Sequence, residues 1–556
     1  MAFRKKADRG ASFLLVAPSP KKYCPPRMKT FTGIAAFLFT VHVVMAASDW
    51  PQWRGPSRNG IQPNSPPLGD QWPSSGLPKL WESEEKIPSD DDGGHGSVVA
   101  SGGRVFAAIV WHTDVPTETR GIDDLVLRQL GYQSVAGWPK ETVEKLERDR
   151  LSIDPNMIGA EFDKFVNDWL EKNLDHKKRQ TAAGYVRNRF RRGKDAIPLE
   201  VYEKLLTVSK KRFPNEAALV AWLNEQNFSE KIKQEILAAV PPRMKVAEDV
   251  VLCLDLATGK TLWKYKAPGE PLGRTASSTP CVAEGRVYAL GSLKMYAVDA
   301  GTGKLVWSAP LPVKGPGSSP MVVDGVLVVN AGKLHAFDAA NGKPLWTQAK
   351  AGGGNSSPVA WKCGDRTVII CNGRGTMTGV DLRSGELLWS TPGGGDCTPA
   401  IVSDTLAVQT SNAKVGIMAG KLTPTAFTPL WTIPYDPLRS QSSPLILGNY
   451  VYLMDDNVHW CLDLATGRAL WKEKVASSSI TSPVFADGKI FLLVSGGSRI
   501  VMLKPSPEKY VQLAQASVRV MGIPSPLIAD GKLVLRARND LRCYDLRGSG
   551  STVAAK

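Results

Sequence analysis

A short alternation of apolar and polar residues, a turn and a second alternation recur along most of this chain. The stretch "CLDLATGKTLWK" begins at Cys253, and the nearly identical "CLDLATGRALWK" begins at Cys461. A period of two residues is typical of a β-strand, and the glycine allows the positive φ angle of a tight turn. The pattern therefore predicts a β-hairpin, which in water is stable only as part of a larger sheet.

Complete copies of this hairpin place an aspartate eight residues before a tryptophan. The five pairs are Asp255 and Trp263, Asp299 and Trp307, Asp338 and Trp346, Asp381 and Trp389, and Asp463 and Trp471. A degenerate copy that ends at Trp431 lacks the aspartate, and another around Leu513 lacks both residues. The tryptophans from Trp263 to Trp471 follow one another at 39 to 44 residues, a period that indicates repeated supersecondary units.

A second signature of the repeat is a Ser-Pro or Thr-Pro dipeptide that leads into an alternating stretch. It occurs in seven units, for example "STPCVAEGRVYAL" and "SSPLILGNYVYLM", and an eighth unit has Val98 where the others have proline. Four short strands in about forty residues are typical of a propeller blade. We therefore predict an all-β protein, an eight-bladed β-propeller with a helical insertion in the first blade.

The two ends of the repeat region are complementary fragments of one blade. "KLWES", around Trp81, is an outer strand without a preceding hairpin, whereas "RCYDL", around Asp545, has no tryptophan strand after it. Pairing of these fragments would close the ring and leave no sheet edge open. The propeller is expected to comprise residues 75–112 and 249–547.

The regular spacing is interrupted over residues 113–248. Phe162, Phe165, Trp169 and Leu170 share one face of a predicted helix, and similar patterns follow. In a four-stranded meander, the turn between the second and third strands lies at the same end of the blade as the loop that leads to the next blade. The insertion should therefore project from the face that carries the loops between blades, where we expect it to form a lid over the central funnel.

Inside the insertion, residues 176–194 contain eight Lys or Arg and no acidic residue. Such a run indicates either a solvated helix face that is balanced by acids elsewhere in the insertion, or a contact for an acidic partner, an anionic polysaccharide or lipid head groups.

Residues 1–47 are typical of a secretory signal. They have a basic start, an apolar run over residues 34–44 and small residues at Ala46 and Ala47, and Met28 is the expected start. The run is too short to span a bilayer, so we expect an exported chain, periplasmic or secreted, without a transmembrane span. The formal net charge is +16, of which residues 1–47 contribute eight Lys or Arg and one Asp. The remaining positive charge is spread along the chain, so we expect no nucleic-acid partner. We also expect a monomer.

Residues 48–74 contain "DWPQWRGPSRNG", in which proline and glycine exclude a regular element. We expect a strap that holds the ring closed; a ligand role for Trp50, Trp53 and Arg54 is the alternative. Residues 548–556 are expected to be a disordered tail. Cys253, Cys461 and Cys543 all stand two residues before the repeat aspartate, where other repeats have Ala or Gly, so these cysteines are interpreted as small buried apolar residues.

The D-x-x-T-G-x-x-x-W repeat resembles that of pyrroloquinoline-quinone (PQQ) propellers over roughly residues 75–547, the insertion excluded. This resemblance implies that the tryptophans dock between neighbouring blades and that the aspartates hydrogen-bond within their hairpins. The docking set consists of Trp263, Trp307, Trp346, Trp389, Trp431 and Trp471. The family contains quinoprotein dehydrogenases, which use PQQ and Ca²⁺, and cofactor-free scaffolds such as the propeller lipoprotein of the outer-membrane assembly machine.

Candidate binding residues lie in the loops between blades. Asp90, Asp91, Asp92 and His95 have the oxygen and imidazole ligands of a divalent cation, although a solvated turn has the same composition. Four further polar residues belong to loops at the channel mouth and are candidates to line a ligand site: Arg274, Asn355, Asp396 and Arg439. None of them is assigned a catalytic role.

Two functions fit this sequence. The first is an exported scaffold that binds a protein or envelope component through its funnel face and helical insertion, without a cofactor. The second is a PQQ- and Ca²⁺-dependent dehydrogenase of alcohols or sugars. The family's dehydrogenases typically hold the quinone against a ring formed by adjacent cysteines. No two cysteines are adjacent here, and no C-x-x-C-H haem motif is present, which favours the scaffold.

Overall fold

The computed structural model describes residues 48–272, 276–312, 317–437, 441–455, 458–475 and 481–548, except for the side chains of residues 176, 177 and 180. The predicted signal over residues 1–47 and the tail beyond residue 548 lie outside the described residues. Among the described helices, none is both long enough and apolar enough to cross a membrane.

Short strands of three to seven residues dominate the structure because the apolar and polar residues alternate in short runs between turns. The chain begins with β1 (Ile61–Gln62), β2 (Lys79–Glu82) and a single helical turn, α1 (Asp90–Gly93). The first blade then consists of β3 (Val99–Ser101), β4 (Arg104–Pro116), β7 (Arg243–Asp255) and β8 (Thr261–Gly269).

Between β4 and β7 the chain forms a two-stranded ladder and seven helices in the described residues. In chain order these are β5 (Arg120–Gly121), α2 (Asp124–Gln129), α3 (Lys140–Ser152), α4 (Gly159–Asn173), α5 (His176–Arg192), α6 (Leu199–Thr207), β6 (Arg212–Phe213), α7 (Glu216–Glu225) and α8 (Glu230–Ala239).

The second to fourth blades are regular antiparallel meanders. Their strands are β9 (Cys281–Ala283), β10 (Arg286–Leu290), β11 (Lys294–Asp299), β12 (Leu305–Pro310), β13 (Met321–Val323), β14 (Val326–Ala331), β15 (Lys333–Asp338), β16 (Pro344–Gln348), β17 (Val359–Cys363), β18 (Arg366–Asn372), β19 (Thr376–Asp381) and β20 (Leu387–Pro392).

The fifth to eighth blades continue the series. Their strands are β21 (Ala400–Val402), β22 (Thr405–Gln409), β23 (Ile417–Thr423), β24 (Ala426–Ile433), β25 (Leu445–Leu447), β26 (Tyr450–Asp455), β27 (Val458–Asp463), β28 (Ala469–Lys474), β29 (Val484–Ala486), β30 (Lys489–Val494), β31 (Arg499–Lys504), β32 (Val511–Ser517), β33 (Leu527–Ala529), β34 (Lys532–Arg536) and β35 (Leu541–Asp545).

Strand β2 completes the eighth blade from the other end of the chain. It pairs antiparallel with β35, with Trp81 opposite Cys543, and the sheet order is β2-β35-β34-β33. The innermost strands β3 and β33 of the first and eighth blades also contact each other. The β-propeller is therefore closed by pairing of its N-terminal and C-terminal strands.

Tryptophan side chains join one blade to the next. The indole Nε1 of Trp263 donates to the carbonyl of Ala300 in the following blade at 3.2 Å, and its ring packs on Gly303. That glycine has φ of +71°, and a Cβ there would lie 2.6 Å from the indole, so glycine is required. Equivalent Nε1 donations are made by Trp81, Trp307, Trp346, Trp431 and Trp471 at 2.8 to 3.0 Å.

Trp389 departs from this arrangement because the following hairpin is the degenerate one. Its buried Nε1 has no hydrogen-bond partner among the residues that the structure describes, and its ring stacks on Phe427 at 5.9 Å instead. Trp361, on strand β17, supplies a donor at this blade boundary, since its Nε1 lies 2.7 Å from the carbonyl of Ser403.

The insertion has bounds that differ from the expected 113–248. Strands β4 and β7 pair without interruption from Arg104–Asp255 to Pro116–Arg243, so the expected boundaries fall inside this ladder. The alternating residues continue past the blade, and the ladder therefore extends beyond the other strands of the ring. The helices beyond it form two apolar clusters, one around Leu146 and Phe190 and the other around Leu205 and Leu219.

Candidate functional site

A closed ring of hydroxyl groups surrounds the centre of the propeller. In each blade the Ser or Thr of the Ser/Thr-Pro signature accepts a hydrogen bond from the backbone N–H of its counterpart in the preceding blade. The eight distances are 2.9 to 3.3 Å, and the members in order are Ser97, Thr279, Ser319, Ser357, Thr398, Ser443, Ser482 and Ser525. This hydroxyl ring explains the repeated dipeptide, because one side chain per blade satisfies a buried donor of its neighbour.

The N-terminal strap fills the channel on one side of the hydroxyl ring. Ser48 bonds to Asp530 in the turn between β33 and β34, and Leu68 donates to Asp487 in the turn between β29 and β30. We call the face with these turns the turn face, and the opposite face, with the loops between blades, the funnel face. The strap therefore enters and leaves at the turn face, where β1 adds a parallel strand to β29.

Two arginines of the strap reach the hydroxyl ring from the turn face. Arg54 donates to the carbonyls of Thr398 at 3.2 Å and of Pro444. Arg58 donates to Ser319 at 3.0 Å and to Pro320 at 3.2 Å. Burial lowers the pKa of each guanidinium to about 10, so both carry a positive charge at neutral pH. Both guanidinium groups donate to backbone carbonyls in and next to the hydroxyl ring. These bonds hold the strap inside the channel, so the strap is a plug.

On the funnel face, two of the predicted mouth residues come together. Asp396 accepts hydrogen bonds from the backbone N–H of Asn355 at 2.9 Å, from its side-chain amide at 3.1 Å, and from Gln441 at 3.2 Å. These residues connect the loops that lead into three successive blades. The other two predicted residues, Arg274 and Arg439, lie outside the described residues.

Buried polar atoms without partners lie next to this cluster. Gln409, at the end of β22, is fully buried, and neither its amide oxygen nor its amide nitrogen has a hydrogen-bond partner among the described residues. The same holds for Oε1 of Gln441 and Oγ of Ser442. Buried polar groups are usually paired, so these atoms are exceptions among the described residues.

Asp90, Asp91 and Asp92 each contact a different basic side chain. Asp90 lies 3.0 Å from His95, Asp91 lies 3.7 Å from Arg128, and Asp92 lies 2.5 Å from Lys245. Among the described residues, no group of three or more His, Cys, Asp or Glu side chains is placed to hold a metal ion. The contacts instead tie this loop to the insertion.

The insertion is thus held on the funnel face. Arg128 belongs to the end of α2, and Lys245 belongs to β7 at the base of the helical region. Lys245 also lies 3.4 Å from Asp114, so it cross-links the loop and the long ladder. Whether the helices reach over the mouth as a lid stays a prediction.

The basic run over residues 176–194 pairs with acids of the insertion. Arg189 lies 2.5 Å from Glu147, Arg192 lies 2.5 Å from Glu235, and Arg187 pairs with Asp163. Of the two interpretations of the run, this geometry favours the balanced helix face.

The resemblance to PQQ propellers implies a quinone cofactor, and the described residues show whether the quinone fits beside the hydroxyl ring. The space beside Arg54 at the hydroxyl ring is a cavity of about 10 Å³, which holds about one water molecule and excludes a three-ring quinone. Cys397 is fully buried, and burial raises its pKa to about 11. The cysteines of the described residues are free thiols. Beside Arg54 at the hydroxyl ring, the described residues therefore leave no space for PQQ, and no reaction step is derived through PQQ or Ca²⁺.

Several of these residues were not predicted as functional from the sequence. The Ser/Thr-Pro signature was visible as a repeat, but its hydroxyl reaches a backbone group about forty residues away. Arg58 stands in the conspicuous "DWPQWRGPSRNG" stretch, yet nothing local shows that it is buried. Gln409 and Gln441 each occur at a strand end or loop, and no spacing links them to Asp396.

The closed ring of blades, the docking tryptophans and the hydroxyl ring define the class of protein as a β-propeller built from tandem repeats. Comparison of the repeat sequence with known proteins agrees with this class. The repeats are similar to those of PQQ-like propellers: residues 247–473 match the PQQ_2 family, described as "Outer membrane protein assembly factor BamB".

Individual proteins that are similar to this chain carry names of different functions. The chain is 28% identical over 324 residues to outer membrane protein assembly factor BamB of Moranella endobia (strain PCIT), an alignment that covers 52% of this chain and 79% of the relative. It is 36% identical over 120 residues to the dehydrogenase subunit of the quinone alcohol dehydrogenase of Gluconobacter oxydans (strain 621H), which covers 17% of this chain and 16% of that protein. The crystal structure of BamB from Moraxella catarrhalis aligns with a TM-score of 0.44 at 16% identity, over 54% of this chain and 90% of that one.

Proposed function

We propose that this chain is an exported, periplasmic or secreted scaffold that holds a protein partner on its funnel face and helical insertion. The observation that carries the proposal is the rigid mounting of the insertion. Its helices extend from a thirteen-residue paired ladder of the first blade, and Arg128 and Lys245 hold them to the funnel-face loop. A fixed surface on a closed ring suits binding, because little conformational freedom is lost when a partner docks.

Two further observations support binding at this face. The strap fills the channel behind the hydroxyl ring, so the propeller offers its partner a blind funnel. Relatives named outer membrane protein assembly factor BamB belong to the same class of activity.

The proposal is tested by removal of the insertion alone. Pro116 and Arg243 face each other at the end of the ladder, so an Asn-Gly turn can replace residues 117–242 as a two-residue hairpin loop. We expect the shortened chain to keep its β-type circular dichroism and cooperative melting, and to lose the envelope proteins that co-purify with the full-length chain. Co-purification of the same proteins by both chains would contradict the proposal.

The quinoprotein dehydrogenase remains the alternative because of the short alignment to the Gluconobacter subunit. It predicts that PQQ with Ca²⁺ raises the melting temperature of the purified chain and supports dye reduction with alcohols or sugars. We expect neither effect; either one would replace the scaffold proposal with the enzyme.

A further inference from the structure

Four exposed cations lie on the funnel face of the third to fifth blades. Lys333, Arg374 and Lys414 stand at the turns between the second and third strands of these blades. Lys350 stands in the loop that leads from the third blade to the fourth. All four residues are exposed, and we call this set the basic arc.

Backbone hydrogen bonds join the segments that carry the basic arc. Each turn is bonded to the loop between blades that lies beside it. The backbone N–H groups and carbonyls pair at 2.7 to 3.1 Å, and the pairs from donor to acceptor are Leu334 to Ala351, Arg374 to Gly352, Gly395 to Gly373, and Ser411 to Gly394. The four cations therefore stand on one continuous surface rather than on independent loops.

Acidic side chains do not offset the charge of this surface. Besides the four cations, its turns and loops contain one acidic residue, Asp396, over residues 331–334, 349–357, 373–375, 393–399 and 410–416. Asp396 already accepts hydrogen bonds from Asn355 and Gln441. Within the described ranges of the chain, none of the four cations forms an ion pair.

The repeat hairpins of the turn face balance their charges locally. Each of four hairpins places a cation five residues after its aspartate, and the pairs are Asp255 and Lys260, Asp299 and Lys304, Asp338 and Lys343, and Asp463 and Arg468. The backbone N–H of each aspartate donates to the carbonyl of that cation at 2.8 or 2.9 Å, so both charges belong to one tight turn. Compared with these hairpins, the funnel face of the third to fifth blades has a positive potential that attracts anions.

The arrangement of the cations selects the kind of anion. A phosphate group is typically held by donors that converge on it, above all by the planar fork of arginine. The basic arc instead has three lysines and one arginine, each from a separate turn or loop. Charges spread in this way match carboxylates that follow one another along an extended chain. A planar anionic membrane fits less well, because the ladder of β4 and β7 extends beyond the other strands on this face.

We propose that the basic arc docks an extended acidic segment of the partner protein, an inference that rests on the scaffold function proposed above. Complementary charge speeds the encounter of two proteins and selects between partners. The insertion and the basic arc would then hold two parts of one partner on the same face.

Fluorescence anisotropy with a fluorescein-labelled peptide of about eight Glu-Gly repeats tests the docking, and a Gln-Gly peptide of the same length is the uncharged control. We expect the full chain to bind the Glu-Gly peptide at least about ten-fold more tightly, with an affinity that falls as NaCl is added. Equal binding of the two peptides, or no binding of the Glu-Gly peptide, would overturn the proposal. Binding of phosphatidylglycerol vesicles without binding of the Glu-Gly peptide would also overturn it.

Two matched sets of substitutions locate the binding. The arc variant combines Lys333→Gln, Lys350→Gln, Arg374→Gln and Lys414→Gln. The control variant combines Lys260→Gln, Lys304→Gln, Lys343→Gln and Arg468→Gln on the turn face. Each set removes three lysines and one arginine, and all eight positions are exposed, so both variants should melt like the unaltered chain.

We expect the arc variant to bind the Glu-Gly peptide at least about ten-fold more weakly than the unaltered chain, and the control variant to lose less than about two-fold. Equal losses in the two variants would overturn the proposal, because the peptide would then follow the net charge of the chain and not the basic arc.

Co-purification from the envelope separates this inference from the scaffold proposal. We expect the arc variant to lose the same envelope proteins as the chain without the insertion. If the arc variant keeps them and the chain without the insertion loses them, the scaffold stands and the basic arc is not the docking site. If both chains keep them, both proposals fall.

Discussion

At the scale of single residues, two adjacent serines of the sixth blade have opposite roles. Ser443 belongs to the hydroxyl ring and accepts from the backbone N–H of Thr398 at 3.0 Å, whereas the buried Oγ of Ser442 has no partner in the described part of the chain. We expect Ser443→Ala to lower the free energy of unfolding by about 1–3 kcal/mol, since it leaves a buried donor unpaired. Ser442→Ala should leave it unchanged or slightly higher. Urea unfolding of the two variants checks this; equal losses would contradict the ring.

The docking tryptophans allow a second matched comparison. Trp346 donates to the carbonyl of Leu382 at 2.8 Å, but Nε1 of Trp389 has no acceptor within the described ranges of the chain. Replacement of either residue by Phe removes similar apolar area, and only Trp346→Phe leaves a carbonyl without its donor. We therefore expect Trp346→Phe to cost about 1 kcal/mol more than Trp389→Phe. Denaturant midpoints of the two proteins measure the difference, and the reverse order would be inconsistent with the docking role.

His459 makes stability depend on pH. It is 3% exposed, its ring lies 5.7 Å from that of Tyr510, and burial lowers its pKa to about 4. In the unfolded chain the imidazole has its ordinary pKa of about 6.5, so the unfolded state binds the proton first. The stabilisation is therefore complete above about pH 6.5 and is lost as the pH falls toward 4.

The substitution His459→Phe should remove this dependence. Between pH 7 and pH 5 we expect the unfolding free energy of the unaltered chain to fall by about 2 kcal/mol more than that of the variant. Parallel pH profiles for the two proteins would show that His459 is not responsible.

How far the sequence predicts single residues depends on whether their partners are local. The repeat aspartates bond within their own hairpins, as Asp463 does with Thr466 at 2.8 Å, and a local motif predicts such contacts. Cys253, Cys461 and Cys543 are fully buried free thiols, as their small-residue position suggested. The partners of Arg54 and the burial of Gln409 could not be predicted, because they depend on loops hundreds of residues away or on neighbouring blades.

At the scale of elements, the strap is the segment whose contribution to stability is the easiest to measure. Arg54 is buried against carbonyls of the fifth and sixth blades, whereas Arg538 is exposed and lies 3.6 Å from Asp90 at the surface. We expect Arg54→Met to cost about 3 kcal/mol, because it leaves several buried carbonyls unpaired. Arg538→Met should change stability by less than about 0.5 kcal/mol. Thermal unfolding of both variants provides the test, and similar melting temperatures would exclude a structural plug.

The elements of the ring were predictable, and the edges of the insertion were not. Hairpins follow from the alternation and the glycine turns. The residues "VWHTDVP" and "RMKVAED" also alternate, however, and they pair as an extension of the blade. They are more polar than the blade itself, so the sequence suggested that the helical region began there.

At the scale of the whole molecule, closure depends on contacts between the ends of the chain. Strand β2 pairs with β35, Ser525 donates its N–H to Ser97 at 2.9 Å, and the strap contacts the first, third, fifth, sixth, seventh and eighth blades. The complementary fragments at the two ends predicted the strand pairing. The hydroxyl ring and the plug were not predicted, since they require the positions of all blades at once.

The central claim is that a partner docks on the funnel face and the insertion rather than on the turn face. Its most direct test is photo-crosslinking in the envelope of cells that produce the full chain with p-benzoylphenylalanine at one position. Ile158, which is 78% exposed on the insertion, is the test position, and Lys304, exposed in a hairpin of the turn face, is the matched control. We predict a discrete protein crosslink from position 158 and none from position 304. The same crosslink from 304 alone, or from neither position, would contradict the account.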